Sequence, residues 1–495
     1  MLPLRTPFVH RERDTFASKA RKGRKMCNFA AQKPIDNNNQ TDMTTNERGH
    51  FGTKLGIILA TAGSAVGLGN VWRFPYMTGQ NGGAAFILIY ILFVCLLGIP
   101  GMVAEFIVGR HSHTNAARAY ARLTHSRPWA LVGVMGTFTA IIILGFYAVI
   151  AGWCLQYLYA SMVRQLTGDA HYVLTYFTTF STSLWRPILW GVAFIVLTHL
   201  VVTQGVRKGI ERASKVLMPT LLLLLVVIVA ASCMLPGAMK GVEFLLKPDF
   251  SKLSTDVFLD ALGQAFFSLS LGTSVLCTYA SYFKRDTDLL RSSSQIAVLD
   301  LLVAVLAGLM IFPAAFSVGI NPDSGPSLIF ITLPNVFNQA FAAMPVVGYA
   351  VSLMFYALLT LAALTSTISM HEIGTVFFHE ELHVRRRTAA AIVTALASVV
   401  CVFSSLSEGP MPGLQVGGMQ LLDFFDFLTA QVLLPLGSFL TCIYVGWVAD
   451  KRLVRDEFSN FGSLRSRSFG IWLAIIRFVC PVCIALIFLH QLGWV

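Results

Sequence analysis

The sequence predicts an all-α polytopic membrane protein, and two observations support this prediction. The 495 residues are 55% hydrophobic and only 13% charged, whereas soluble proteins carry about 25% charged residues. The apolar residues also fall in blocks as long as the roughly 20 residues that a helix needs to cross the hydrocarbon core. Together these features exclude a soluble globular protein.

Eleven apolar blocks are long enough to be transmembrane helices. Their approximate bounds are 52–77, 84–109, 130–162, 185–204, 213–235, 256–283, 294–320, 346–378, 388–406, 419–449 and 469–492. The first five (about 52–235) and the next five (about 256–449) form two groups, and the eleventh (about 469–492) is an additional helix. We therefore expect a membrane domain over 47–493, preceded by a polar, disordered cytoplasmic extension at 1–46.

Basic clusters in alternate loops predict the orientation. The clusters are Arg207, Lys208, Arg212 and Lys215; Lys284, Arg285 and Arg291; Arg385, Arg386 and Arg387; and Lys451, Arg452, Arg455, Arg465 and Arg467. Because basic loops stay in the cytoplasm, we expect a multi-pass protein of the cell membrane with its N-terminus inside and its C-terminus outside. Together with eight Lys and Arg residues among the first 25, these clusters account for the net charge of +12. Membrane lipid is therefore the expected partner, and a nucleic acid is not.

Small residues interrupt the first span where a membrane helix would be continuous. The run from Ala62 to Asn70 contains three glycines and an asparagine, which weaken a helix. Unwound backbone at membrane depth is tolerated only inside protein or beside a water-filled cavity. Such broken helices form the binding sites of secondary transporters, so the interruption predicts a transport site.

A second interruption, Phe266–Ser274, lies in the sixth span and contains Gly272 among several hydroxyl residues. Because the first and sixth spans begin successive groups of five, we predict a five-plus-five inverted repeat with its site between the two broken helices. Close helix packing would explain either run of small residues alone, but not their matching positions.

An opened helix offers free amides on one side of the break and free carbonyls on the other. The amides suit a carboxylate, and the carbonyls suit a hard cation or an ammonium group. A site of this kind holds both ends of a zwitterion together with a sodium ion, and an amino acid is the simplest such ligand.

The first interruption and the following residues up to Pro75 resemble the first-helix signature of the neurotransmitter:sodium symporters, the family with the LeuT fold. The resemblance covers about 48–493 and continues through Asn81–Gly83, Gly98–Pro100, Glu105, Gly109–Arg110, Phe266–Tyr282, Leu364–Thr367 and Asp423–Asp426. Eleven spans are typical of the shorter bacterial members. The resemblance implies a sodium-coupled symporter that imports an amino acid by alternating access, and not an enzyme.

The resemblance also implies two sodium sites. The first would use the Ala65 carbonyl, Asn70, Ser268 and Asp300, with the substrate carboxylate. The second would use the carbonyls of Gly63, Val66 and Ala362 with the hydroxyls of Thr365 and Ser366. Shells made only of oxygen suit a hard cation.

The implied substrate site has three parts. The carboxylate would meet the amides of Leu68 and Gly69 and the Tyr147 hydroxyl, and the ammonium would meet carbonyls of Ala65, Phe267 and Ser268 with the Ser270 hydroxyl. Ile143, Tyr147, Phe267, Thr273, Ser366 and Met370 would line the side-chain pocket, favouring a hydrophobic or aromatic amino acid. Biogenic-amine carriers of the family have Asp where this chain has Gly67, which favours a substrate with its own carboxylate.

Asp300 departs from the family pattern, since many members carry Asn there and bind chloride nearby. A fixed carboxylate beside the sodium makes a bound chloride electrostatically unfavourable. Ala304, one turn further, lacks an anion-coordinating hydroxyl. We therefore expect transport without chloride.

Two sets of residues are expected to gate the pathway. Arg73 and Asp426 would close the outer side, with Tyr147 and Phe267 as a lid. Arg48 and Glu380 would close the cytoplasmic side, with Phe51 and Tyr282 nearby.

Two other functions are compatible with parts of the sequence. His379, Glu380 and His383 fit the H-E-x-x-H signature of zinc proteases, in which both histidines share one helix face. They adjoin the basic Arg385–Arg387 end of a span, and no third ligand motif is evident. A non-transporting amino-acid sensor of the same fold is the other alternative.

Overall fold

The computed structural model describes residues 50–124, 126–319, 328–462 and 468–491. The predicted extension at 1–46 and the gate residue Arg48 lie outside the described residues. The described chain is predominantly helical, with one antiparallel two-stranded hairpin formed by β1 (Gln415–Val416) and β2 (Met419–Gln420).

The helices of the first predicted group begin with a broken pair. In chain order they are α1 (Lys54–Ala65), α2 (Phe74–Gln80), α3 (Ala84–Phe93), α4 (Ile99–Ser112), α5 (Ala116–Thr124), α6 (Ala130–Met162), α7 (Ala170–Ser181), α8 (Arg186–Val202), α9 (Arg212–Cys233) and α10 (Met239–Leu246). π-Helical segments Gly69–Arg73, Val94–Gly98 and Val206–Glu211 lead into α2, α4 and α9.

The second group also begins with a broken pair. Its helices and the additional span are α11 (Thr255–Ser268), α12 (Val275–Ala280), α13 (Leu289–Ser317), α14 (Leu333–Ala340), α15 (Pro345–Glu381), α16 (Arg386–Glu408), α17 (Leu421–Asp426), α18 (Leu434–Ile443), α19 (Lys451–Phe458), α20 (Phe469–Ala474) and α21 (Cys480–Gln491). π-Helical segments Leu328–Thr332, Phe427–Leu433, Tyr444–Val448 and Ile475–Val479 and short 3₁₀ turns at Arg127–Trp129 and Phe250–Lys252 complete the helical structure.

Length and apolar composition allow 8 helices of the described chain to cross a membrane, or up to 10 if each of two bent pairs counts as one span. One bent pair is the first predicted span, whose two parts form an angle of 54°; the other joins α7 to α8 at 73°. The predicted span at 256–283 is not a continuous helix, because six residues, 269–274, separate α11 from α12. The membrane class is therefore confirmed, and both interruptions are real breaks.

The helices pack as two groups. The long helices α6 and α15 pack against each other and against α8 and α16. The broken helices pack with spans two and seven: α1 contacts α13, α11 contacts α3, and α12 contacts α4. Because α1 also contacts α15, the first break lies where the two groups meet.

Candidate substrate and ion site

The first break redirects three backbone amides. In a continuous helix the amides of Gly67, Leu68 and Asn70 would bond to the carbonyls four residues earlier. Instead, the Gly67 amide donates to Asn70 Oδ1 (3.1 Å), the Leu68 amide to the Tyr147 hydroxyl (3.0 Å) and the Asn70 amide to the Gly67 carbonyl (3.2 Å). The extended ψ of Val66, 103°, turns the chain out of the helix. The carbonyls before the break are thereby available to other partners.

The second break is a tight loop of left-handed residues. Ser270, Gly272 and Ser274 have φ of 54°, 82° and 59°. Gly272 is required here, because an added Cβ would lie 2.2 Å from the Leu434 carbonyl. Its amide donates to Glu105 Oε1 (2.7 Å), so a buried carboxylate from α4 satisfies the opened backbone. The Ser270 hydroxyl donates across to the Ser64 carbonyl at 3.3 Å and links the two breaks.

Three of the residues predicted for the first sodium site, Asn70, Ser268 and Asp300, form one buried cluster. Asn70 Nδ2 donates to Asp300 Oδ1 (2.7 Å), Ser268 Oγ to Oδ2 (2.8 Å) and the Tyr90 hydroxyl to Oδ2 (3.0 Å). Asn70, Tyr90 and Asp300 are fully buried. Three donors from three different helical segments therefore converge on this one carboxylate. The buried Ala65 ends α1 five residues before Asn70.

The residues predicted for the second sodium site also lie together. Thr365 Oγ1 donates to the Ala362 carbonyl (2.9 Å) and the Val66 carbonyl (3.3 Å), and Ser366 Oγ donates to the Val66 carbonyl (3.4 Å). An added Cβ on Gly63 would lie 3.3 Å from Thr365 Cβ. Oxygen atoms from α1 and α15 therefore converge beside the break.

The backbone between the two clusters is tightly enclosed. A Cβ added to Gly67 would lie 2.4 Å from Ser366 Oγ and 3.2 Å from the Tyr147 hydroxyl. One added to Gly69 would lie 3.0 Å from the Phe267 ring. The site therefore leaves no space for an acidic side chain at position 67.

An apolar cluster adjoins this backbone. Ile143 packs with Phe146 and Leu434, and Tyr147, Phe267 and Met370 pack against them. Four residues predicted for the side-chain pocket are thus brought together. Thr273 contributes differently, because its hydroxyl donates to the Ser270 carbonyl (2.7 Å) and accepts from the Val275 amide (3.2 Å) within the second break.

Comparison with known proteins identifies the family. The model of the sodium:neurotransmitter symporter family matches residues 48–179 and 181–494. The chain belongs to this family. It is therefore a multi-pass, sodium-dependent membrane transporter of a small-molecule substrate and not an enzyme.

Relatives and a solved structure agree with this assignment. The chain is 38% identical to the uncharacterized sodium-dependent transporter YhdH of Bacillus subtilis over 447 residues, 90% of this chain and 97% of that protein. It is 33% identical to such a transporter of Haemophilus influenzae over 472 residues, 91% of this chain and 100% of that protein. The crystal structure of MhsT in complex with L-phenylalanine matches with a TM-score of 0.82 and 38% identity, covering 90% of this chain and 100% of that chain. The prediction of the LeuT fold is confirmed.

On the predicted outer side of the symporter, the guanidinium of Arg73 lies over the Phe267 ring, 4.2 Å from its centroid. Within the described residues Arg73 forms no ion pair with Asp426, whose side chain is exposed. The expected outer pair is therefore not closed in this conformation.

On the predicted inner side, Phe51 is 1% exposed and packs edge-to-face on Tyr279 and Tyr282. Tyr282 donates to Glu372 Oε1 (2.7 Å), and Glu372 pairs with Arg386 from the start of α16. Glu380 accepts from the amide (2.8 Å) and side chain (3.0 Å) of Asn115. Its predicted pairing with Arg48 lies outside the described residues.

The H-E-x-x-H residues do not form a zinc site. Helix α15 ends at Glu381, and His383 has a left-handed φ of 53°, so the two histidines do not share a helix face. His379 Nδ1 instead contacts the Val384 carbonyl at 2.6 Å. In the part of the chain that the structure describes, no group of three or more His, Cys, Asp or Glu is placed to hold a metal ion. The protease hypothesis is wrong.

Sequence reasoning assigned no role to Tyr90, Glu105, Phe146 or the Glu372–Arg386 pair. Glu105 and Glu372 could have been singled out from the sequence, because a lone carboxylate in an apolar span is functional by default. Nothing in the sequence distinguishes Tyr90 and Phe146, since aromatic residues are ordinary in such spans.

Proposed function

We propose that this symporter imports an amino acid with a hydrophobic or aromatic side chain, together with two sodium ions and without chloride. The observation that carries the proposal is the position of the Leu68 amide and the Tyr147 hydroxyl between two clusters of oxygen ligands. The amides of Leu68 and Gly69 and the Tyr147 hydroxyl bind the substrate carboxylate. The carbonyls of Ala65, Phe267 and Ser268 and the Ser270 hydroxyl bind its ammonium group.

Two observations support a hydrophobic or aromatic side chain. The adjoining cluster of Ile143, Phe146, Tyr147, Phe267 and Met370 is apolar apart from the tyrosine hydroxyl. Met adapts its shape to different occupants. The similar structure of MhsT was solved with L-phenylalanine.

Coupling to sodium follows from shared ligands. Ala65, Asn70, Ser268 and Asp300 hold one ion, and the substrate carboxylate completes its shell, so substrate and ion stabilise each other. Gly63, Val66, Ala362, Thr365 and Ser366 hold the other. Sodium and substrate bind from outside, the outer gate closes, and the bundle with both broken helices rocks to release them inside.

The proposal that transport does not require chloride rests on a fixed negative charge in the site. The Asp300 carboxylate offsets the charge of the adjacent sodium, and the buried Ala304 one turn further offers no hydroxyl.

The basic loops support placing the N-terminus in the cytoplasm and the C-terminus outside.

The deciding experiment measures uptake into proteoliposomes, with all twenty amino acids as competitors of labelled phenylalanine. We expect accumulation that requires an inward sodium gradient and persists when gluconate replaces chloride. Saturable binding without accumulation would identify a sensor and refute transport.

The ion sites are tested by three single variants, Asn70→Ala, Asp300→Ala and Thr365→Ala. Each should sharply reduce sodium-dependent uptake. Unchanged sodium dependence in all three would refute the assigned ion sites.

A further inference from the structure

A cavity of about 630 Å³ lies outside the two repeats, between α19 and the last span. Its walls come from the start of α19, from α20 and from the π-helical segment that follows it. None of its lining residues belongs to the candidate substrate site.

The cavity carries an excess of positive charge. Lys451, Arg452, Arg455 and Arg477 line it, with Asp450 as the only acidic residue among the lining residues. Asp450 already accepts the Arg452 amide at 2.9 Å, as the N-cap of α19. The three cations of α19 are exposed, so an anion entering the cavity would meet them directly.

Arg477 is the most unusual of these residues, because it lies inside an apolar span. The last span begins at Phe469. Arg477 lies eight residues later, about 12 Å along the helix axis. Its Nε donates to the Gly446 carbonyl at 2.5 Å, and its guanidinium lies 5.3 Å from the Trp447 ring centroid. Within residues 50–124, 126–319, 328–462 and 468–491, it forms no ion pair with a carboxylate. A charged residue at this depth is costly without a counter-charge.

The surface beside Arg477 is apolar and outward-facing. Phe478 also lines the cavity and is 57% exposed, and Trp447 is 55% exposed. Aromatic side chains in this position match the boundary between headgroups and acyl chains. The cavity thus has a cationic part and an apolar part side by side.

We propose that this cavity binds a phospholipid with an anionic headgroup from the cytoplasmic leaflet. The headgroup pairs with Arg477 and the cations of α19, and an acyl chain lies along Trp447 and Phe478. A soluble anion would leave the apolar wall unused, and a zwitterionic lipid would leave the excess charge uncompensated. Basic pockets between membrane helices on the cytoplasmic side suit such headgroups.

The test uses the full-length protein and phosphatidylglycerol with brominated acyl chains, which quench nearby tryptophan fluorescence. The chain has 8 Trp residues, Trp447 included. Subtracting the quenching of the Trp447→Phe variant isolates the signal of Trp447. We expect brominated phosphatidylglycerol to quench at a lower mole fraction than brominated phosphatidylcholine. Neutralising Lys451, Arg452 and Arg455 to Gln should raise the required fraction, by up to about fivefold for each charge removed.

The matched control replaces three exposed basic residues that lie outside the cavity, Lys208, Lys284 and Arg291, with Gln. It changes the net charge equally and should leave quenching unchanged. Arg477→Gln should weaken binding while Arg477→Lys retains most of it, and sodium-dependent uptake reports that each variant is folded. Equal quenching by the two lipids, equal effects of both triple variants, or displacement by millimolar inorganic phosphate would each overturn the proposal.

Discussion

Asp300 joins three elements of the fold through one carboxylate. Its oxygens accept from Asn70 in the first break, Ser268 at the end of α11 and Tyr90 in α3. Hydrogen bonds to a charged group contribute more than neutral ones. Removing the charge therefore affects both the local network and any cation beside it.

Asp300→Asn should raise the sodium concentration for half-maximal uptake about tenfold to a hundredfold, because a charged ligand is lost from a buried site. A sodium titration of uptake measures this change. Asp288→Asn is the control, because Asp288 caps the same helix outside the site and Asn preserves the cap. An unchanged sodium requirement in Asp300→Asn would exclude Asp300 from the ion site.

Gly67→Ala should lower substrate affinity, because its Cβ would lie 2.4 Å from Ser366 Oγ. Ser366→Ala alone should also weaken binding, since it removes a proposed sodium ligand. If the clash is the cause, adding Ser366→Ala to Gly67→Ala should cost less than the two single effects combined. Gly413→Ala serves as the control, because an added Cβ there meets nothing within 4 Å. Strict additivity would contradict the steric explanation.

Among the helices, a buried ion pair attaches the short helix α19 to the bundle. Arg110 at the end of α4 pairs with Glu457 of α19 at 2.6 Å, with side-chain exposures of 1% and 4%. His111 Nδ1 lies 3.0 Å from the same carboxylate. Burial alone would raise the pKa of Glu457, but the His111 hydrogen bond and the Arg110 charge lower it below its usual value.

Glu457→Gln should destabilise the protein by about 3–5 kcal/mol, because it leaves Arg110 buried without a counter-charge. A carboxylate with a lowered pKa contributes stability above its unfolded pKa, near 4.5, and loses it as pH falls through the folded value. Unfolding measured across pH should therefore show a difference between wild type and variant that shrinks as pH falls below 4.5. Asp456→Asn, an exposed neighbour on α19, should change little. A difference that persists at low pH would refute the role of the charge.

At the scale of the whole molecule, the two ends of the pathway differ. The predicted inner side is packed by Phe51, Tyr282 and the fully buried Glu372, which pairs with Arg386. On the predicted outer side, Arg73 and Asp426 form no ion pair with each other in the part of the chain that the structure describes. Alternating access requires these two ends to exchange states, so the buried inner pair is expected to set the equilibrium between them.

Glu372→Gln should shift the population toward an inward-open state. In a Ser281→Cys background, labelling by a membrane-impermeant maleimide in inside-out vesicles should accelerate about tenfold, the effect of about 1.4 kcal/mol. Ser281 is fully buried in this conformation, which makes it a sensitive reporter. Glu381→Gln, a partly exposed carboxylate near the same end, is the control. Equal labelling of both variants would show that the Glu372–Arg386 pair does not hold the inner side closed.

The membrane class, the two interrupted helices and the family could be predicted from the sequence, because these depend on hydropathy, on glycine and hydroxyl residues, and on a long local motif. The clusters of polar groups around Asn70 and Thr365 were also expected, although only through the resemblance, and their role as sodium sites stays a prediction. Other contacts are visible only in the folded chain: Tyr90 donates to Asp300, Glu105 accepts from the second break, and Glu372 pairs with Arg386. The divergence of His379 and His383 is likewise visible only there. Each of these depends on which distant helices pack together and where a helix ends, and residue spacing along the chain does not fix either.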